Sequence, residues 1–210
     1  MAEWEVIRRQ VAIAGQVNDA RTGESIGRVR VAISAAPGAF TGWLAVHASQ
    51  YGERWATMAQ RPDRTVTAAD GHYHFLDLPD GQYTLVVSLP EWGTRYGKAQ
   101  AEVDVSRNAQ GHIHMAAAHI DLPPTTVKGR ITFQDAEPPE KVIMATIRIM
   151  GSGEQAFSNG QGHYRLTGIE TGERNVLVAA PGYQPASQGV QINEAGEERT
   201  LNFALRPVIS

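Results

Sequence analysis

The chain of 210 residues contains no cysteine. A disulfide staple, a thiolate nucleophile and a Cys-ligated zinc site are therefore excluded. An excess of one charge is missing too: 19 Lys and Arg stand against 22 Asp and Glu, a formal net charge of −3. Divided at Pro123-Pro124, the first part holds 11 basic and 13 acidic residues and the second 8 and 9. Neither part has the basic field that a nucleic-acid backbone requires, so no nucleic-acid partner is predicted. No apolar run approaches the roughly 18 residues of a membrane span. The opening residues Met1 to Gln10 carry two early acids and no apolar stretch long enough for a signal peptide. The cytoplasm is the expected location, with signal-less export as part of an assembly as the other route. What remains, 42% hydrophobic and 20% charged, is the composition of a folded chain with room for one large or two small domains.

The strongest positive signal is internal repetition. Asp70-Gly71-His72-Tyr73-His74-Phe75 recurs as Gln161-Gly162-His163-Tyr164-Arg165-Leu166, and the match continues without a gap through Leu78 and Ile169, Gly81 and Gly172, Leu85 and Val176, and Val87 and Val178. The offset is 91 throughout. Upstream, Ile13-Ala14-Gly15-Gln16-Val17 matches Val127-Lys128-Gly129-Arg130-Ile131, and Val29-Arg30-Val31 matches Ile147-Arg148-Ile149 at an offset of 118. The change of offset means that the first copy carries 27 extra residues between these blocks. Within each block apolar residues alternate with polar ones, as in Tyr83, Leu85 and Val87, which is the period of a strand buried on one face. Asp70-Gly71, Gly160-Gln161-Gly162 and Pro79-Asp80-Gly81 are tight-turn signals placed directly before strands. Short strands with frequent turns predict an all-β chain of two antiparallel sandwiches, 1–123 and 124–210. Asp121-Leu122-Pro123-Pro124-Thr125 would join them as a short, stiff connection able to hold a fixed orientation. Val6 to Ile13 is read as a first strand or as an arm that adds to a partner's sheet.

The order of these motifs resembles the carboxypeptidase regulatory-like domain. The shared features are a G-x-V opening, an alternating valine strand, D-G-x-Y-x-F, L-P-D-G-x-Y-x-L and a closing V-x-V strand. The second copy adds Pro181-Gly182-Tyr183, Val190-Gln191-Ile192 and Leu201-Asn202-Phe203-Ala204-Leu205. The resemblance implies a seven-stranded Greek-key sandwich of the transthyretin (prealbumin) kind in each copy, and an accessory or interaction role. Departures are visible. Pro90 to Gly97 replaces the family's Gly-Tyr turn in the first copy, Arg174 stands where Tyr83 sits and thins the second core, and Pro138-Pro139 lengthens a loop.

The extra residues, about 37–64, break the strand pattern. Phe40, Trp43, Leu44, His47, Tyr51, Trp55 and Met58 recur at spacings of three and four, which predicts an amphipathic helix. Pro37-Gly38 precedes it and Pro62 is expected to end it. An isolated helix of this length is marginal and needs a surface to pack on. It therefore covers its own sandwich or docks a partner, with Phe40, Trp43, Tyr51 and Trp55 as anchors; Trp92 and Tyr96 are further candidates.

Chemistry-bearing residues are sparse. His72 and His74, and His112 and His114, form two H-x-H pairs whose members share a strand face, with His119 following. Such pairs are weak metal candidates, because solvated histidines on the outer face of a strand give the same pattern. Tyr73 and Tyr164 are read as core residues with the hydroxyl at a rim, and Asp77 and Asp80 as turn-capping residues. Arg61, Arg64, Arg95 and Lys98 are candidates for one basic cluster near the insertion. No G-x-S-x-G, P-loop or G-x-G-x-x-G occurs. Hydrolases of transthyretin-like fold carry a terminal Y-R-G-S motif, which the closing Leu205-Arg206-Pro207-Val208-Ile209-Ser210 lacks. No cofactor and no catalytic residue is predicted.

The leading expectation is a non-catalytic structural or adaptor protein. The blocks Trp43-Leu44-Ala45, Gln50-Tyr51-Gly52, Arg61-Pro62-Asp63-Arg64-Thr65 and Phe75 to Gly81 are similar to those of bacterial proteins encoded with phage-tail-like contractile injection systems. The alternative is a carbohydrate- or peptide-binding module that stacks sugars on Trp4, Trp92 and Tyr96. A small-molecule hydrolase ranks last, since fold alone does not decide function.

Overall fold

A computed structural model describes residues 9–58, 61–134 and 140–208. Trp4, Val6 to Arg8 of the Val6–Ile13 stretch, and Pro138-Pro139 lie outside the described residues. The chain divides into two compact units, Met1–Leu89 with Lys98–Leu122, and Pro90–Gly97 with Pro123–Ser210. The segment 90–97 thus belongs to the second unit, although sequence alone had assigned it to the first.

The first unit runs β1 (Val11–Asp19), β2 (Arg30–Ala35), α1 (Gly38–Tyr51), α2 (Arg54–Thr57), β3 (Arg64–Val66), β4 (His72–Leu76), β5 (Gly81–Ser88), β6 (Ala99–Arg107), β7 (Ile113–His114), β8 (Ala116–Ala117) and β9 (Ile120–Leu122). Its strands form two sheets. One places β1 between β4 and the short pair β8 and β9; the other has the order β3-β2-β5-β6-β7. The second unit runs β10 (Thr126–Phe133), β11 (Thr146–Ile149), β12 (Gln155–Phe157), β13 (His163–Thr167), β14 (Gly172–Ala179), β15 (Ala186–Ile192), β16 (Glu198–Thr200) and β17 (Phe203–Leu205). Its sheets repeat the plan: β10 lies between β13 and the pair β16 and β17, and the other order is β12-β11-β14-β15. Counting β16 and β17 as one broken strand gives the expected seven. Each unit is an all-β sandwich, and the 27-residue insertion between β2 and β3 adds helices to the first.

The alternation read from the sequence is the alternation seen. In β4 and β13 the second and fourth residues are buried and the first and third exposed, in the same order. Tyr83, Leu85 and Val87 of β5 are fully buried, as are Val176 and Val178 of β14. Burial of each such side chain contributes roughly 1.5–3 kcal/mol, so the repeated pattern supplies a separate core to each unit. Gly71 and Gly162 take φ of 78° and 76° in the turns before β4 and β13, and each gives its carbonyl to the first or tenth strand, at Val17 and Ile131. A β-branched residue adopts that φ only at a cost.

One pairing departs from the antiparallel expectation. The last strand of each unit runs parallel to the first, β8 and β9 along β1, and β16 and β17 along β10. That last strand is broken in both units at the same place, and the break has a cause. The Tyr73 hydroxyl donates to the Ala118 carbonyl at 2.5 Å, and the Tyr164 hydroxyl to the Leu201 carbonyl at 2.6 Å. Each carbonyl turns away from the strand ladder toward the phenol and passes over a glycine. A Cβ on Gly15 would lie 1.8 Å from the Ala118 oxygen, and one on Gly129 would lie 1.8 Å from the Leu201 oxygen. The glycine of the G-x-V opening is therefore required by this crossing. Both tyrosines are buried rather than set at a rim, and burial raises both phenol pKa values well above the ordinary one, keeping the donor proton in place.

Two further expectations change. The helix stops at Gly52, with a φ of 55° and an N–H bonded to the Ala48 carbonyl, and not at Pro62. It is not amphipathic either. Phe40 is its one buried residue, while Trp43, Val46 and Tyr51 stay exposed. No helix among the described residues is long and apolar enough to cross a membrane.

The latch in the second unit predicts a specific order of damage. Tyr164→Phe leaves the Leu201 carbonyl without its donor and should cost about 1–3 kcal/mol. Gly129→Ala forces a methyl into that carbonyl and should cost more than Tyr164→Phe. Urea denaturation of the full chain checks both, and an unchanged midpoint for Tyr164→Phe would show that the hydroxyl is not part of the closure.

Candidate functional site

Among the described residues α1 meets the first sandwich through one aromatic contact, while Arg61 and Arg64 hold the carbonyls of the short α2 that follows. Phe40, one turn into α1, packs edge-on against Tyr83 with ring centroids 5.8 Å apart. Tyr83 in turn donates its hydroxyl to the Pro79 carbonyl at 2.8 Å, four residues back, and closes the Leu78-Pro79-Asp80-Gly81 turn. In the second unit Arg174 occupies the equivalent position. Its Nε donates to the Glu170 carbonyl at 3.0 Å, again four residues back, and its Nη2 to the Thr171 carbonyl at 2.7 Å. The guanidinium thus replaces the hydroxyl as a turn lock. Only the tyrosine offers an apolar ring face, and only its unit carries the helix.

From that seat α1 forms one wall of a cleft of about 840 Å³ in the first unit. Phe40, Trp43 and His47 line it from the helix, at spacings of three and four. Phe40 and Trp43 stack with centroids 5.9 Å apart, and the His47 ring lies 3.9 Å from that of Trp43. His47 Nδ1 is 3.1 Å from the Trp43 carbonyl, so Nδ1 carries the donated hydrogen and Nε2 is left for other partners. The facing wall comes from both sheets: Arg64 and Thr65 from β3, His74 and Phe75 from β4. Arg9 and Arg61 complete the rim.

The electrostatics of the cleft are lopsided. Arg61 holds Asp63 through two hydrogen bonds, Nε to Oδ1 at 2.8 Å and Nη2 to Oδ2 at 2.6 Å, and stands 4.8 Å from the centre of the Trp55 ring. Arg64 has no such carboxylate. Its Nη2 donates to the carbonyls of Ala56 and Met58, and its buried Nε has no partner. Burial, then the charges of Arg61 and Arg30, lower its pKa against the opposing pull of Asp63. Asp77, the one carboxylate on the lining, accepts the Gln10 N–H at 2.7 Å. It pins the start of the first strand across 67 positions instead of capping its own turn. Asp80 pairs with Arg107 at 2.5 Å.

The other predicted residues are dispersed. Phe40 is buried on Tyr83 and anchors the helix, so it does not present itself to a partner. Tyr51 is exposed beside a half-buried Trp55, their centroids 5.8 Å apart. Trp92 is exposed and Tyr96 half-buried, 6.0 Å apart, in the segment that belongs to the second unit. His72 and His74 sit on β4, whereas His114 sits on β7 of the other sheet and His112 precedes it, so the two pairs do not share a face. Among the described residues no three His, Asp or Glu side chains gather as a metal-holding group. Arg61 and Arg64 meet at the cleft, but Arg95 lies elsewhere. Within the second unit it donates to Glu154 at 2.5 Å and to Glu170 at 3.2 Å. Sequence reasoning found the helix and the arginine pair. It did not find the cleft, whose two walls are brought together by the Phe40–Tyr83 contact and by the arginine bonds to the carbonyls of Trp55, Ala56 and Met58.

Residues 126–206 match the carboxypeptidase regulatory-like domain, which covers the second unit's sandwich. No curated protein matches the chain. Among solved structures, the shaft pilin SpaA from Lactobacillus rhamnosus GG is similar over 97% of this chain and 99% of its own, with a TM-score of 0.41 at 13% identity. The minor pilin GBS52 of Streptococcus agalactiae is similar over 94% and 96%, with a TM-score of 0.34 at 13% identity. The Bacillus anthracis TIE protein is similar over 95% of this chain, with a TM-score of 0.40 at 14% identity, and this chain spans only 34% of its length.

The second unit's polar network has a pH signature. The Thr94 hydroxyl and N–H both donate to Glu170 Oε2, at 2.6 and 2.9 Å, and with Arg95 they hold its carboxyl below the ordinary value against the effect of burial. A depressed carboxylate stabilises the fold above its unfolded pKa, and that stability is lost as pH falls through the folded one. Protection of the Thr94 and Thr171 amides from exchange should therefore hold from neutral pH down to pH ~5 and fall as the pH drops below ~4. Glu170→Gln should be less protected at neutral pH and lose less on acidification; equal acid sensitivity in the two proteins would contradict the assignment.

Proposed function

We propose that the protein is a non-catalytic structural or adaptor protein that works by protein–protein contact, with the helical insertion of its first unit as the docking element. The observation that carries this reading is the composition and exposure of α1. The helix Gly38–Tyr51 contains no charged residue, in a chain that is 20% charged. Trp43 is 45%, Val46 56% and Tyr51 49% exposed. A helix fixed mainly at Phe40, with large apolar side chains left in water, is the kind of surface that a partner covers. The second unit, with the same sandwich and no insertion, would serve as a spacer or platform.

The similarity of the insertion blocks to proteins encoded with phage-tail-like contractile injection systems supplies a candidate setting, in which the partner is a sheath or baseplate component. The cytoplasm is the proposed location for that role.

Affinity capture from the native source tests the reading. The wild-type chain should retain a defined assembly component, and the variant lacking Thr41–Gln60 should lose it while the second unit stays folded. Trp43→Ala with Tyr51→Ala should weaken retention about tenfold or more. Unchanged capture by both variants would sink the docking role.

A further inference from the structure

The cleft under α1 carries more specific chemistry than an apolar docking face. We propose that it receives an acidic peptide segment of the partner, with a carboxylate placed beside a large apolar or aromatic side chain. This rests on the docking role above and names what the site recognises.

Size comes first. About 840 Å³ lies within the roughly 300–1,000 Å³ range of ligand clefts. That is room for a side chain together with its neighbour. The floor and one wall are aromatic, Phe75 from β4 and Phe40 and Trp43 from α1. Of these, Trp43 is exposed, so an apolar group laid against it would gain burial that the free protein lacks.

Charge then selects the other half of the ligand. Three arginines line the cleft against one carboxylate, Asp77, which accepts the neutral Gln10 N–H and keeps its own negative charge. Arg61 is neutralised by Asp63. The Nη2 of Arg64 is held by backbone carbonyls, which leave its charge unbalanced, and its buried Nε has no partner. Arg9 makes no hydrogen bond or ion pair with the described residues and is exposed at the rim. An anion is the complement of this surface, and a cationic or neutral polar group is not.

The donor count narrows the anion. Among the described residues, Arg9 is the cleft arginine whose whole fork of N–H groups is without a partner, since the Nη2 of Arg64 is already engaged. One guanidinium fork matches the two oxygens of a carboxylate. A doubly charged phosphate would exceed the one positive charge left in surplus when Arg9, Arg61 and Arg64 are set against Asp63 and Asp77. Carboxylate and aromatic wall lie within one cleft, which requires that acid and apolar group be neighbours on the same segment.

The test is calorimetric titration of the full chain with short capped peptides. The reference peptide places aspartate beside phenylalanine. In a second peptide asparagine replaces the aspartate, in a third alanine replaces the phenylalanine, and in a fourth phosphoserine replaces the aspartate and alanine the phenylalanine. The reference peptide should bind saturably below millimolar concentration, and the asparagine and alanine peptides about tenfold more weakly. Arg9→Glu, a substitution at a side chain without partners among the described residues, should weaken the reference peptide by about tenfold or more and leave thermal unfolding unchanged. Trp43→Ala should weaken it as well. Equal binding of the asparagine peptide, no effect of Arg9→Glu, or tighter binding of the phosphoserine peptide would each overturn the proposal. So would the absence of any binding up to millimolar concentration. If the reference peptide fails while the wild-type chain still captures its partner through α1, this proposal falls and the docking role stands. If the peptide binds as described while capture survives loss of Thr41–Gln60, the docking role falls and the cleft specificity stands.

Discussion

Each sandwich is closed by one hydrogen bond that crosses a glycine. A buried tyrosine on the fourth or thirteenth strand donates to a carbonyl on the last strand, and the carbonyl reaches it only because the first strand has no side chain at that point. The bond replaces a ladder contact, so the last strand breaks into two short pieces in both units. That strand runs parallel to the first and so joins the end of each unit to its beginning. The two motifs that repeat most clearly in the sequence, G-x-V and D-G-x-Y, are the two halves of this latch.

With the sandwich closed, small differences between the copies decide what each can carry. Tyr83 and Arg174 lock the same turn through the same backbone carbonyl position, one with a hydroxyl and the other with a guanidinium. The turn tolerates either. The insertion does not, because Phe40 needs an aromatic face to pack on. Loss of that face would leave α1, an uncharged helix capped by no side chain, without the tertiary support that short helices require. The first unit gained a helix and a cleft on a framework that the second unit keeps plain.

Much of this was legible beforehand. The strand period, the turn glycines and the 27-residue surplus gave two sandwiches and the place of the insertion, because alternation and turn chemistry act locally. The latch was half legible: Gly15 and Tyr73 were both singled out, but their meeting at Ala118 spans 45 positions or more and no local rule joins them. The helix was found from its apolar spacing and misjudged as amphipathic, since the count of apolar residues does not say which of them touch anything. The helix stops at Gly52, ten residues before the expected Pro62. The segment around Arg95 was assigned to the wrong unit because Thr94 and Arg95 are held by Glu154 and Glu170, partners that lie about 60 to 76 positions away.

The central claim is that the protein meets its partner through the insertion of the first unit and not through the bare sandwich of the second. Site-specific photo-cross-linking in the native assembly tests it most directly, with the photoreactive residue placed either at Val46 on the exposed face of α1 or at Gln188 on β15. Docking through the insertion predicts a discrete cross-linked partner from Val46 and none from Gln188. A partner trapped from Gln188, with nothing from Val46, would contradict it.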